Sequence, residues 1–286
     1  MYQRILGDIM LALGLIYGVV LLRAAFRQRE AVRRARGSPA ALAVMEVAVF
    51  FCASTGISDF LIHTLLVKRL RLIDDDKQLP GTLIACCLVP GAIFSWTLLR
   101  VESPVDIVTL AVCGACVMAG ALVGTRVTDR LPGAIIVKVM RVALIASFVI
   151  LVGKIVLSSG ESGTAMGLSG IRLCVAGVLC FATALINMFG IPMKPTWTAL
   201  FLILGLSPLA VLTLVLVLGE LSPLAGGLEV VRSGNYQRKM APCGVIFGSL
   251  GALLGTLLTV SLPAVVLNGL LLAVMLLAIA AMFRKK

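Results

Sequence analysis

Most charged residues sit in short links between apolar runs long enough to cross a bilayer, and this alternation limits what the chain can fold into. Residues 5–26, 79–99, 104–125, 134–157, 207–231, 240–260 and 263–283 are each mainly apolar, and about 20 such residues are what a transmembrane helix needs. In lipid every backbone N–H and C=O must be paired within the protein, so uninterrupted runs of this length predict α-helices. Only 13% of the residues are charged and 60% are apolar, against roughly 25% charged in a soluble domain. No polar stretch is long enough to fold alone. The expected fold class is an all-α polytopic membrane protein with seven transmembrane helices.

Two further apolar runs are interrupted. Residues 40–67 break at Ser54-Thr55-Gly56-Ile57-Ser58-Asp59, and residues 171–205 break at Asn187-Met188-Phe189-Gly190-Ile191-Pro192-Met193-Lys194-Pro195. Each precedes three conventional runs, so the order is a broken element plus three spans, twice. Residues 120–132 read GALVGTRVTDRLP and residues 251–263 read GALLGTLLTVSLP, with eight of thirteen positions identical. The shared Gly-Thr and Leu-Pro pairs at fixed offsets indicate an internal duplication. The expected organisation is an additional N-terminal helix and Arg-rich loop over 1–39, a first repeat over 40–158, and a second over 170–286.

Charge placement bears on topology. The chain has 25 Lys and Arg against 13 Asp and Glu. If each broken element is a re-entrant hairpin, most basic residues share one side: Arg23 to Arg36, Lys68 to Lys77, Arg126 to Arg141, Arg232 to Lys239 and the C-terminal Arg284-Lys285-Lys286. The positive-inside rule assigns that side to the cytoplasm. The N-terminus is then outside and the C-terminus cytoplasmic, in a multi-pass protein of a cell membrane. Three crossings per repeat is an odd number, so the repeats are inverted. The first run carries its arginines after the apolar core, unlike a cleavable signal peptide. The Arg-rich loop is read as setting orientation and meeting anionic lipid, not nucleic acid.

In its ordered motifs the chain resembles the TauE/SafE sulfite exporter family of permeases. The second half carries Gly205-Leu206-Ser207-Pro208, Arg232-Ser233-Gly234-Asn235, Gly251-Ala252-Leu253-Leu254-Gly255 and Leu262-Pro263. The first half carries Leu79-Pro80, Gly120-Ala121-Leu122-Val123-Gly124 and Leu131-Pro132. The resemblance covers roughly residues 42–283 and implies a prokaryotic inner-membrane transporter for sulfite, a sulfonate or a related sulfur anion. The family's broken helices usually carry a Gly-x-Gly-Gly-Gly cluster; here a single glycine stands in each, Gly56 and Gly190, a departure that leaves the fold intact and bears on the substrate.

Candidate chemistry centres on the breaks. Half-helix N-termini present free backbone N–H groups and a positive dipole end to an anion, and in transporters built of inverted repeats such ends meet near the midplane. The expected substrate-binding residues are Thr55, Gly56, Ser58, Asn187, Gly190, Lys194, Thr196 and Trp197. Lys194 stands alone in an apolar stretch and is the candidate counter-charge; the competing reading is a lysine that snorkels to the interface. Asp59 and His63, four residues apart on one helix face, are candidates for proton coupling, with Glu46 and Glu220 as further candidates. Asp59 also suits the N-cap of the following half-helix.

Other features carry less. The eight cysteines all lie in apolar runs and read as reduced packing residues, Cys113-Gly114-Ala115-Cys116 included. The glycine stripes at 114, 120, 124 and at 248, 251, 255 suit close helix packing, with a homo-oligomer contact as the second reading. One histidine, no phosphate loop and no nucleophile–base pair argue against an enzyme, and no cofactor or metal site is expected. The expected function is secondary or passive alternating-access transport of a small anion. The alternatives are a non-transporting scaffold or accessory subunit, and a permease for an unrelated solute.

Overall fold

A computed structural model describes residues 2–54, 58–100, 105–157 and 163–258. The span expected at 263–283, and the expected site residues Thr55 and Gly56, lie outside the described residues. The helices are α1 (Tyr2–Arg27), α2 (Arg29–Arg34), α3 (Pro39–Ser54), α4 (Asp59–Arg69), α5 (Gln78–Leu98), α6 (Ile107–Arg130) and α7 (Gly133–Leu157). They continue with α8 (Gly170–Asn187), α9 (Lys194–Ile203), α10 (Pro208–Ser233), α11 (Met240–Cys243) and α12 (Ser249–Leu258), the last two joined by a π-helical turn over Gly244–Gly248. The protein is an all-α polytopic membrane protein. Among the described residues, six stretches are long and apolar enough to cross a membrane: Arg4–Arg27, Gln78–Thr97, Ile107–Arg130, Gly170–Asn187, Pro208–Ser233 and Met240–Leu257. One arm of the second broken run, α8, thus reaches spanning length by itself, whereas its counterpart α3 has 16 residues.

The start of α3 and the end of α4 lie at the same end of the molecule. Arg36 pairs with Asp74 at 2.7 Å and its guanidinium donates to the carbonyl of Arg71. Lys239 donates to the carbonyls of Arg33, Ala35 and Gly37, Gln237 to the carbonyl of Arg36 at 2.8 Å, and Asn235 to Asp129 at 2.9 Å. The links after α1, α4, α6 and α10, which hold the basic clusters, are therefore gathered at one end. The opposite end joins Asp8 to Trp96 at 2.7 Å and the α5–α6 link to the segment before α8, where the Asp106 N–H donates to the Met166 carbonyl at 2.8 Å. There Ala165 bridges the turn between α9 and α10 through bonds to Gly205 and Ser207. The α8–α9 element therefore begins and finishes at this end, as α3–α4 does at the other.

The side chains sort by the same logic. Large apolar residues point outward, among them Ile171, Val178 and Ile203 at 80%, 69% and 83% exposure. Polar groups such as Glu46, His63, Asn187 and Glu220 are buried inside. This is the arrangement expected when the outer solvent is lipid.

Helix contacts come in matched pairs. Gly120 of α6 lies directly on the backbone carbonyl of Phe181 in α8, and Gly124 on that of Leu185. In the other half, Gly251 of α12 lies on the carbonyl of Val47 in α3, and Gly255 on that of Phe51. Each glycine helix thus packs against the first arm of the broken element in the opposite half. A side chain at these positions would displace backbone, which explains the repeated glycines.

Asp106 caps α6 and also anchors the link before α8. Its carboxylate accepts from the backbone N–H and the hydroxyl of Thr109, both at 2.9 Å, and these bonds hold its pKa below the ordinary carboxylate value. Thr109 Oγ1 in turn accepts from the Leu168 N–H at 2.8 Å. A lowered folded pKa means the cap is fully formed above the ordinary carboxylate range and is lost as pH falls through the lowered value. Asp106→Ala is expected to speed amide exchange at Thr109 and Leu168 near neutral pH; unchanged exchange at both would remove the capping role.

Candidate functional site

The two breaks meet at a cavity of about 300 Å³. Ser54, Ser58 and Asp59 line it from the first break, and Asn187, Pro192, Met193 and Lys194 from the second. The walls come from α5 and α10, each of which carries an internal proline at the cavity, Pro90 and Pro223. An interior proline removes one helix hydrogen bond, so each wall lacks one such bond where it faces the tips, although α5 and α10 both continue as helix through the proline.

Small residues beside these prolines let charged side chains cross the cavity. A Cβ at Gly91 would lie 2.7 Å from Glu220 Oε2, so the Glu220 carboxylate rests against the α5 backbone. A Cβ at Gly219 would lie 2.8 Å from Lys194 Cε, so the lysine stem runs over α10. Lys194 Nζ sits 5.7 Å from the centre of the Phe94 ring, within cation–π range. Glu220 is 6% exposed, and its Oε2 has no hydrogen-bond partner among the described residues. Lys194 and Asp59 are its charged neighbours.

The second tip is a hydrogen-bonded turn. Gly190 has φ +83, a conformation that side chains disfavour, and its N–H donates to the Asn187 carbonyl at 2.9 Å. Asn187 Nδ2 donates to the Ile191 carbonyl at 2.7 Å, while its Oδ1 accepts from Ser222 of α10 at 3.0 Å. Trp197, 1% exposed, donates from Nε1 to Thr183 at 2.7 Å and holds α9 on α8. Lys194 then opens α9, with Pro195 in its first turn.

The two half-helices present opposite charges at their N-termini. Asp59 is the first residue of α4, and Ser58 occupies the cap position without a side-chain cap bond. The expectation that Asp59 is itself the N-cap is corrected: the helix starts one residue earlier, and its carboxylate turns to the cavity. An acid there complements the α4 dipole, whereas Lys194 adds to the positive end of α9.

The remaining expected residues separate. Ser58, Asn187, Lys194 and Trp197 line the cavity; Gly190 packs beneath the tip against Leu83 and Met140. Thr196 is half-buried in the first turn of α9 and does not line the cavity. His63 and Glu46 are fully buried away from it, joined at 3.0 Å. Asp59 and His63, one turn apart on α4, therefore face different surroundings. Sequence reasoning missed Pro90, Gly91, Phe94 and Pro223. A proline in the middle of the span that follows each broken element, Pro90 and Pro223, was the available signal.

A second, more open groove of about 770 Å³ lies at the basic end, lined by Arg27, Arg29, Arg34, Arg36 and Arg238 with Glu30 and Asp74. It includes none of the broken-element tips. No protein-family model, curated protein or solved structure matches the chain. Fold and site together define a multi-pass membrane protein with a buried, charged cavity between two broken helical elements.

Proposed function

We propose that the protein is a secondary transporter for a small anion, with a proton as the coupled ion. The supporting observation is that both broken elements converge on one cavity holding a lysine and two carboxylates. Lys194 at the N-terminus of α9 supplies the anion's counter-charge. With Asp59 and Glu220 both ionised, the cavity charge is negative and an anion is repelled. Protonation of one carboxylate neutralises the cavity, and the anion then binds beside Lys194. Anion and proton therefore occupy the cavity together. Access alternates as one half rocks against the other.

The ordered motifs favour a permease of the TauE/SafE type in a prokaryotic cell membrane, with sulfite or an organosulfonate as the first candidates. The basic end faces the cytoplasm on the positive-inside rule, and its arginine groove meets anionic lipid headgroups. No catalytic role is assigned to any residue.

The test is uptake into proteoliposomes of sulfite, sulfoacetate, taurine (a zwitterion, the uncharged control), thiosulfate and sulfate in turn, with and without a pH gradient. It is read as solute flux and internal pH, because a proton moving with a monovalent anion carries no current. A saturable, gradient-dependent uptake of one anion is the expected result. Silence to all of them from correctly oriented protein would favour the scaffold reading or an unrelated solute. Glu220→Gln, which mimics the protonated acid, is expected to keep anion binding but to flatten the dependence on the pH gradient. An unaltered gradient response would remove Glu220 from the coupling step.

A further inference from the structure

Behind the cavity wall, three potential metal ligands from three helices meet in a fully buried cluster. Glu46 of α3, His63 of α4 and Cys86 of α5 are each 0% exposed. One ligand atom from each lies within 4.8 Å of the other two. We propose that this cluster is a transition-metal site for Zn2+ or an ion of similar softness, and that the ion fastens the first broken element to α5.

The donor set fits. Thiolate, imidazole and carboxylate are the ligands zinc takes, at about 2.0–2.3 Å. Tetrahedral placement at those lengths puts donors roughly 3.3–3.8 Å apart, so the cluster needs only small side-chain shifts. A simple Glu–His hydrogen bond leaves much of the cluster unsatisfied. Glu46 Oε2 and His63 Nε2 meet at 3.0 Å, whereas Glu46 Oε1 and His63 Nδ1, both buried, make no well-formed hydrogen bond; their nearest partners are the Cys86 thiol and the Asp59 carbonyl. Unpaired polar atoms at membrane depth are costly.

The neighbours suit the ion as well. His63 Nδ1 faces the Asp59 carbonyl one turn back, which leaves Nε2 as the donor. The Phe50 ring stands edge-on to the imidazole, with centroids 5.4 Å apart, and fixes its plane. Cys243 of α11 is an electrostatic neighbour of both Glu46 and Cys86 but lies outside the three-residue cluster, so the fourth position would fall to a water. Among the described residues the second half shows no such cluster and fastens its broken element through the Trp197–Thr183 bond.

The experiment uses the full chain, purified in detergent without a polyhistidine tag or chelator. Metal content by mass spectrometry is expected to give about one zinc per chain. After chelation, Co2+ is expected to produce a thiolate-to-cobalt charge-transfer band that Zn2+ abolishes. Cys86→Ser is expected to remove the band, and Cys174→Ser, on the exposed face of α8, to retain it. His63→Gln is expected to weaken Zn2+ binding by more than the roughly 10–100-fold typical of an outer-shell partner. Wild-type protein that carries no zinc and gives no cobalt band would overturn the site, as would an undiminished band in Cys86→Ser. If Cys86→Ser does not fold, the wild-type metal content and cobalt spectrum decide alone. None of these readings depends on transport, so the site can fail while the transport proposal stands.

Discussion

Lys194→Ala is expected to abolish anion transport while the protein still inserts and remains monodisperse in detergent. Lys194 is half-buried at the cavity, and no ion pair among the described residues engages its ammonium. Its contact with Phe94 at 5.7 Å leaves the charge available to a solute. The α9 dipole alone contributes about 0.3–2 kcal/mol towards an anion, too little by itself to offset the remaining ionised carboxylate and the desolvation of the anion. Truncating one partner of a buried charge pair costs about 2–5 kcal/mol, or roughly 30- to several-thousand-fold in affinity. Uptake should therefore fall below detection at substrate concentrations that saturate the wild type. Lys194→Arg retains the charge but enlarges the head group, and partial activity is expected. Undiminished uptake in the alanine variant would reject the anion-site role and leave Lys194 as a residue that only fills the space over Gly219.

A different kind of loss is expected from Gly120→Val and Gly251→Val. Both glycines lie on backbone carbonyls of an opposing helix, and an added Cβ would lie within 3.1 Å of the Phe181 and Val47 Cα atoms. Backbone cannot yield as a flexible side chain does. Overpacking a tight interface costs about 1–3 kcal/mol, occasionally more, and here α6 would move off α8, or α12 off α3. Each variant is expected to lower the folded, monodisperse fraction and the thermal midpoint in detergent. Gly170→Asn is the control: Gly170 has φ +56 with open space around it, and asparagine tolerates that conformation. If the valine variants matched wild type in thermal stability, the close helix contacts would not be holding the two halves together.

The breaks and their surroundings illustrate how far the sequence could be read. Asn187, Pro192 and Pro195 interrupt an apolar run, and the interruption is visible because proline and polar residues are rare in a spanning helix. Lys194 stood out for the same reason. The cavity walls did not: Gly91 and Phe94 look like ordinary members of α5, and they matter only because Glu220 and Lys194 cross to them. Asp59 and His63 show the converse. Their four-residue spacing places them on one helix face, but α3 and α5 pack against that face and divide it. Glu46 meets His63, while Asp59 meets the cavity.

The sequence by itself determined that the chain is helical and membrane-embedded, and where the helices fail. Those properties are local: in lipid each apolar run must satisfy its own backbone, and clustered polar residues, glycine and prolines end a run, whereas the single prolines Pro90 and Pro223 leave α5 and α10 continuous. The clustering of basic links was also legible, because charge resists the bilayer regardless of partners. Only the tertiary structure decided that Asp59, Lys194 and Glu220 share one cavity and that Glu46, His63 and Cys86 share another place. Those meetings join residues far apart in the chain, and they depend on how closely the glycine faces of α6 and α12 allow the opposing backbones to approach.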